Sequence, residues 1–376
     1  MISPDRHGYR VPVPSTETLT TSMYFDGHIM HGPTSLTIED GVVVDLSAFG
    51  GTPVHHLLSP GLVDLQVNGF DDVDCADADP SALARLDETL AAAGTTSWLA
   101  TLVTDGLDVM ARRTDVLASA PPGCIGVHLE GPFLGSAPGA HRTSRIMEPD
   151  IAWLSDLPPH VLLVTLGAES HLAPAAVRLL RDKGVVVSIG HTKPTRDQWE
   201  AAVGAGARMV THLFNAMSGI HHREFGLALA ALTDERVVFG LIADTHHVQP
   251  DAVALAFASR PDGVCLVSDS VAWRSPWALN AGVSVRDGVP VLANGTLAGS
   301  STPLAECVRR AVTRCGAGLP DALRAATSTP ANMIDRTDIG TISAGVACDI
   351  VAWDTSLRVV RTLRRLQSPR GFQTDI

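Results

Sequence analysis

Much that would assign this chain quickly is missing from it. No apolar run approaches the length of a membrane-spanning helix, and residues 1–22, MISPDRHGYRVPVPSTETLTTS, lack the apolar stretch of a secretory signal. A cytoplasmic protein with no membrane partner is therefore expected. The cysteines at 75, 124, 265, 307, 315 and 348 show no C-x-x-C spacing, which favours reduced core thiols over disulfides or a metal cluster. Positive charge is short: 28 Lys and Arg against 40 Asp and Glu leave a formal net charge of -12. That balance argues against nucleic acid as a partner, although a single local Arg could still hold an anionic small molecule. No G-x-G-x-x-G follows the first strand-like run, so a dinucleotide fold loses its main support. Neither a short internal repeat nor a low-complexity tract is apparent.

What is present is a globular composition, 376 residues with 45% hydrophobic side chains, 33 Gly and 24 Pro. Such a chain can bury a sizeable core and must make many tight connections. Apolar strand-like runs recur at 61–67, 95–103, 124–130, 160–167, 185–190, 208–213, 237–243 and 263–268. Between most of them lie helical stretches, beginning near Pro80, Asp105, Leu172, Thr195 and Pro250. Eight strands alternating with helices predict an α/β fold of the (β/α)8 TIM-barrel class rather than an open doubly wound sheet. Two helices from about Ser300 to Ile334 would close the barrel. Residues 1–20 read as loosely ordered. Short strands with a Glu39-Asp40-Gly41 turn precede the barrel, and similar material returns at 340–363. A small β-sandwich domain from 1–58 and 341–376, around a barrel of 59–340, is the expected division.

Barrel enzymes work at the C-terminal ends of their strands. The run GVHLEGPF (126–133) delivers Glu130 to such an end, where Gly131-Pro132 stops it; VVVSIGHT ends near His191 and MVTHLFNAM contains His212. One carboxylate and two imidazoles from separate strands suit a catalytic divalent ion with an open position, zinc first. A closed structural zinc site would instead call for four ligands rich in Cys. Asp269, in CLVSDS, would exchange a proton with water and then with a leaving nitrogen; the competing role is to cap a following helix. His141 and His247 are candidates to donate to a carbonyl or substrate oxygen, while His221, His222 and His246 read as surface residues. Asp64, Gln66, Asn68, His128, Asn215 and Asp244 complete the polar strand ends.

Seven segments carry a resemblance: LSPGLVDLQVNG (58–69), GVHLEGPF (126–133), GHT (190–192), THLFNAM (211–217), IADTHHV (242–248), LVSDS (266–270) and NGTLAGS (294–300). In this order they resemble the N-acetylglucosamine-6-phosphate deacetylases, a family of the amidohydrolase superfamily, with further likeness in ATSTPANM (326–333) and GTISAG (340–345). The resemblance implies a metal-bearing barrel with a small β-domain, often homodimeric, that hydrolyses the acetamide of an amino-sugar phosphate. Carried over residue by residue, the metal ligands fall on Glu130, His191 and His212, and the catalytic aspartate on Asp269. Substrate contacts fall on Ala140, His141, Asn215, Ala216 and His247, and on Leu297, Ala298 and Gly299 beside the sugar. Arg223 corresponds to the phosphate-binding arginine, which some members of the family lend from the neighbouring subunit.

Many amidohydrolases carry H-x-H on the first strand, where this chain has Gln66-Val67-Asn68; its fourth strand also offers no Lys. Both departures resemble the single-metal branch, so one ion is expected, Zn2+ with Fe2+, Mn2+ or Co2+ as alternatives, and Gln66 is left to face substrate. Other differences touch the substrate: ADTHH (243–247) in place of A-D-G-x-H, the loop GAHRTSRI (139–146), and a bulky VAWRSPW (271–277). Trp273 and Trp277 would either stack on a sugar ring or pack on the barrel rim. The second reading is thus a deacetylase for another N-acetylated amino sugar or aminocyclitol with the same metal and aspartate chemistry. A non-catalytic scaffold on the same barrel would be expected to have lost ligands, and this chain keeps all four residues.

Overall fold

The computed structural model describes residues 16–280, 282–286, 288–293 and 295–365. Eight runs rich in Val, Leu and Ile form one parallel sheet in sequence order: Leu62–Val67, Thr95–Val103, Cys124–Glu130, Val161–Leu166, Val186–Ile189, Met209–Val210, Val238–Leu241 and Val264–Leu266. These strands are buried on both faces, which is why their sequences are nearly continuous apolar runs rather than alternations. Val63, Leu65, Leu99, Leu163 and Val186 fill the inside of the barrel. Their chain neighbours Leu62, Trp98, Ala100, Val164 and Val187 pack outward against the helical layer. This is the (β/α)8 barrel that the alternation predicts.

The barrel closes between its first and eighth strands without a full ladder. Val67 bridges Ser270, and the Asn68 amide donates to the Ser270 carbonyl at 2.9 Å. Lower in the same seam the buried Asp64 carboxylate accepts from the Ser268 and Gln66 amides, both at 3.2 Å. A side chain here replaces backbone pairing, because strand eight is only three residues long. Burial pushes the Asp64 pKa up to about 6.

The helices begin where their sequences supply caps. Asp79 accepts from the Ala82 amide ahead of Pro80–Ala92, and Thr195 forms a capping box with Gln198 ahead of Arg196–Ala205. Ala173–Asp182 and Pro250–Ser259 occupy two more of the expected stretches. After strand six comes a seven-residue helix, Leu227–Thr233, and after strand three a single turn, Ile151–Ser155; both are too short to show a helical period in sequence. The tail holds three helices, Leu304–Cys315, Leu319–Ala325 and Ser328–Met333, where two were expected.

The second sheet has seven strands from both flanks of the barrel: Thr16–Phe25, Met30–His31, Thr34–Glu39, Val42–Ala48, His55–Pro60, Ile350–Trp353 and Val359–Leu363. Asp40 and Gly41 both take positive φ (50° and 80°), the twist that a two-residue hairpin turn requires. Residues 16–20 are strand, not the loose segment expected, because Thr16–Thr21 pair antiparallel with Thr34–Glu39. The remainder of that expected segment, 1–15, and the stretch 366–376 lie outside the described residues. All six cysteines are buried and free. Among the described residues no helix is long and apolar enough to cross a membrane.

Candidate active site

Three strand ends turn their side chains into one point. Glu130 ends the third strand, and His191 and His212 follow the fifth and sixth. Glu130 Oε1 lies 3.1 Å from His191 Nε2 and 3.2 Å from His212 Nε2, and the two nitrogens are 3.0 Å apart. His191 and His212 hold left-handed backbone, φ 51° and 29°, as does Asp269 at 48°. Such conformations cost on the order of 1–3 kcal/mol each and persist where the surroundings enforce them. Each one bends the chain away from strand direction as it leaves the barrel, which aims the side chain over the barrel mouth. Gly131 is required beside Glu130, since a Cβ there would sit 2.2 Å from Thr104 Oγ1.

The chemistry of this donor set fits a divalent cation. His191 Nδ1 reaches the Ala137 carbonyl at 3.2 Å, and a carbonyl only accepts, so the proton sits on Nδ1 and Nε2 keeps its lone pair. That lone pair faces a carboxylate oxygen and a second imidazole nitrogen. Three electron-rich atoms within 3.0–3.2 Å repel unless a cation or extra protons lie among them. The electrostatics show the same demand for positive charge. Burial would raise the Glu130 pKa, but protons carried toward it by His191 and His212, beyond the one that His191 gives to the Ala137 carbonyl, hold it well below the usual carboxylate range. Burial likewise opposes protonation of His212, yet the Glu130 carboxylate raises its pKa.

Asp269 lies alongside. Gln66 Nε2 donates to Glu130 Oε1 and to Asp269 Oδ1, both at 3.1 Å, and Asn68 Nδ2 donates to Asp269 Oδ1 at 2.8 Å. One amide thus joins the donor cluster to the aspartate, and Gln66 is a bridge in the floor rather than part of the cavity wall. Burial, and next the negative charge of Glu130, pushes Asp269 up to about 7. It caps no helix: the next one, Pro276–Asn280, starts seven residues later. Instead the Asp269 carbonyl accepts from the Ser300 amide at 2.9 Å, tying the eighth strand to the 297–300 turn.

Two further histidines flank the cluster. Thr104 Oγ1 is 2.8 Å from His141 Nδ1, and His141 Nε2 is 3.9 Å from Glu130 Oε2. Burial, with the neighbouring His191, lowers the His141 pKa to about 3, so this imidazole is neutral. His247 Nδ1 is 2.7 Å from Asp244 Oδ2, which also accepts from Ser300 Oγ at 3.1 Å. Asp244 Oδ1 takes the amides of His246 and His247 at 2.9 and 2.8 Å. Burial opposes ionisation of Asp244, but His247 outweighs it and brings the carboxyl down to about 2. His128 is buried between Thr101 Oγ1 and Thr165 Oγ1 at 3.3 and 2.8 Å, outside the cavity wall. It is a satisfied core residue.

Above these groups opens a cavity of about 620 Å³, large enough for a monosaccharide derivative. Its wall includes Glu130, Ala140, His141, His191, His212, Asn215, Ala216, His247, Asp269, Leu297, Ala298 and Gly299. Arg223 is not brought in: it is exposed, beside the exposed His221 and His222. His246 is exposed as well. Trp273 packs edge-on against Phe70 with ring centres 4.8 Å apart, and Arg274 pairs with Asp71 at 3.1 Å. This part of 271–277 is a rim latch, with Trp273 outside the cavity wall; the side chain of Trp277 lies outside the described residues. The wall also holds groups that sequence reasoning passed over, Thr104, Asp74 and an Arg113 paired to Asp105 and Asp77 at 3.0 and 3.1 Å. Their common signal is position after the first two strands, where the acidic run 71–79 could have been read as a wall.

Comparison with known proteins agrees with this architecture. The amidohydrolase family profile matches residues 57–374. An N-acetylgalactosamine-6-phosphate deacetylase of Escherichia coli O157:H7 is 33% identical over 361 residues, 91% of this chain and 94% of that one. An N-acetylglucosamine-6-phosphate deacetylase of Bos taurus is 35% identical over 343 residues, 81% of each chain. Among solved structures, a mutant N-acetyl-D-glucosamine-6-phosphate deacetylase of Mycobacterium smegmatis in complex with N-acetyl-D-glucosamine-6-phosphate superposes with a TM-score of 0.86. It is 30% identical and covers 93% of this chain and 98% of its own. The corresponding enzyme of Thermotoga maritima gives 0.84 at 27% identity with the same coverage.

Proposed function

The chain belongs to the amidohydrolase family, and on that premise we propose that it is a metal-dependent deacetylase converting N-acetylglucosamine 6-phosphate to glucosamine 6-phosphate and acetate. The observation that carries the reading is the Gln66 amide holding Asp269 beside the Glu130–His191–His212 cluster at the floor of the cavity. One ion, Zn2+ in the first instance, would be held by those three side chains, and it supplies Lewis acidity that polarises a carbonyl and acidifies water. Asp269 accepts the proton of the attacking water and returns it to the nitrogen as the C–N bond breaks. His141 donates to the carbonyl oxygen as negative charge grows there. His247, oriented by Asp244, meets the sugar hydroxyls together with the 297–299 turn.

The phosphate falls to Asn215 and to arginine. Arg223 stands outside its own cavity, which supports a homodimer in which each copy lends this residue to the other. Arg142 lines the cavity of its own chain next to His141. Unlike Arg113 it has no carboxylate within salt-bridge distance among the described residues. Arg142→Ala is expected to raise KM for the phosphorylated sugar by about tenfold, the scale of one charged hydrogen bond, and to leave kcat nearly unchanged. Steady-state kinetics on sugars with and without the phosphate check this. A cytoplasmic enzyme divided into 1–58 with 341–376 and 59–340 completes the reading. The separate apolar cluster of Leu19, Leu36, Val43, Leu58 and Ile350 supports that division.

A second reading keeps the chemistry and changes the sugar, and the similarity to the galactosamine-type deacetylase favours it specifically. Acetate release by the zinc-loaded protein from the two epimeric 6-phosphates, with unphosphorylated N-acetylglucosamine alongside, separates the possibilities. Turnover of the gluco epimer in preference to the galacto epimer is expected. Bound metal with neither phosphate cleaved would sink the assignment and point to an aminocyclitol or another amino sugar.

A further inference from the structure

We propose that Glu169 is a positioning residue for the donor cluster, clasping the loops after the third and fifth barrel strands so that His191 is held with Nε2 toward the cavity. The fourth strand, Val161–Leu166, is the one barrel strand whose end lends the cavity wall no residue among those described; just beyond it stands Glu169. Glu169 Oε1 accepts from the Lys193 amide at 2.7 Å, the Ser136 amide at 3.0 Å and Ser136 Oγ at 2.9 Å. Oε2 accepts from Thr192 Oγ1, which itself takes the Ala168 amide at 3.1 Å. Burial would raise the Glu169 pKa, but these amide and hydroxyl donors outweigh it and hold the carboxyl below its ordinary value. The donors bracket His191. Thr192 and Lys193 follow it directly, where its own φ is 51°, a conformation that persists only where the surroundings enforce it. Ser136 precedes Ala137, whose carbonyl accepts from His191 Nδ1 at 3.2 Å, while the Gly135 and Ala137 amides donate to the His191 carbonyl at 2.9 and 3.3 Å. The fit is close, since a Cβ on Gly135 would collide with the carboxylate. A side chain that only stapled two loops could sit anywhere along them; this one grips both segments that fix a single imidazole. The role of that imidazole as a metal ligand rests on the reading above; the clasp on its backbone does not.

The test compares Glu169→Ala with Glu169→Gln, whose amide oxygen can keep the donors on Oε1, and with Asp87→Ala as a control. Asp87 is a buried carboxylate at the far end of the barrel, beside Gly123 ahead of the third strand, bound by Trp98 Nε1 at 2.9 Å and Arg364 Nη1 at 2.7 Å. Zinc affinity is measured by competition with a chromogenic chelator, below the melting range of each chelated variant. Glu169→Ala is expected to bind zinc about ten- to a hundredfold more weakly, the usual cost of losing a residue that orients a ligand. Glu169→Gln should stay within about threefold of wild type, and Asp87→Ala should lose Tm but not affinity. In the chelated protein, Glu169→Ala should speed hydrogen exchange of the Gly135 and Ala137 amides by about tenfold, although both donate to His191 and not to Glu169. Wild-type zinc affinity in Glu169→Ala overturns the proposal, as does an equal loss in Asp87→Ala or Glu169→Gln, or unchanged exchange at those two amides. If wild type binds no zinc, the metal reading fails, while the exchange still decides whether Glu169 holds His191. Should Glu169→Ala not fold, Thr192→Val, which removes the Oε2 donor and keeps its shape, takes its place. Zinc binding weakened about threefold or more then supports the clasp, and unchanged affinity overturns it.

Discussion

Asp269→Asn is expected to lower kcat for acetamide hydrolysis by about a thousandfold while leaving the site assembled. The expectation follows from what the carboxylate does in each state. Asp269 Oδ1 only accepts, from Gln66 Nε2 and Asn68 Nδ2. An asparagine amide oxygen can accept both bonds in the same place, so the floor of the cavity is kept and the proton-transfer group is lost. Asp269→Ala is a poorer test, because it takes the acceptor from Asn68 Nδ2 and leaves Gln66 Nε2 only its bond to Glu130, and so mixes a rearranged floor with lost chemistry.

The pH dependence sharpens this prediction. Burial and the Glu130 charge push Asp269 up to about 7. A cation held by the neighbouring cluster favours the ionised form and draws that value down. The aspartate must be ionised to receive a proton, so kcat/KM should fall as pH drops through its pKa, on a limb below 7 in the metal-loaded enzyme. Acetate release measured from about pH 5 to 9 would show that limb in wild type and not in the residual activity of Asp269→Asn. A variant that kept both the limb and its rate would move the proton-transfer role to another group, with His247 next in line.

How far the chain could be read without coordinates depends on what each residue's environment writes into its neighbours. The barrel was legible because strands buried on both faces need apolar side chains at every position, and such runs stand out between capped helices. Helices of five and seven residues, Ile151–Ser155 and Leu227–Thr233, carry no period long enough to detect. The donor cluster was legible because ionisable residues rarely end several apolar runs of one barrel without a shared purpose. Thr104 was not, since a hydroxyl after Leu102-Val103 looks like ordinary strand chemistry until His141 is seen 2.8 Å away. Trp273 stood open between two roles. Its nearness to Asp269 in sequence allowed a sugar platform as well as rim packing, and the chain passes from the eighth strand over the rim, where Phe70 and Asp71 hold the segment. Gln66 lay between these cases: its strand position was readable, its contact with two carboxylates was not.

Metal removal should have the second large effect, on activity and on stability together. Chelation is expected to abolish acetate release and to lower Tm, and zinc should restore both. The stability term follows from mass action. A ligand that binds only the folded chain stabilises it by about 2.7 kcal/mol at a hundredfold excess over Kd. The site has reason to bind tightly, since the folded chain already bears the cost of crowding Glu130 Oε1 and two imidazole nitrogens within 3.2 Å of one another. Binding needs ionised Glu130 and imidazole lone pairs on both His191 and His212. The Tm shift should therefore shrink as pH falls and protons compete for the nitrogens. His212→Ala should remove most of the zinc-dependent shift, whereas Asp269→Asn should keep it, since Asp269 is not one of the three donors. Calorimetric scans of the chelated and zinc-loaded forms of wild type and both variants measure this directly. A full zinc-dependent shift surviving in His212→Ala would place the ion elsewhere and dismantle the donor set on which the reaction is built.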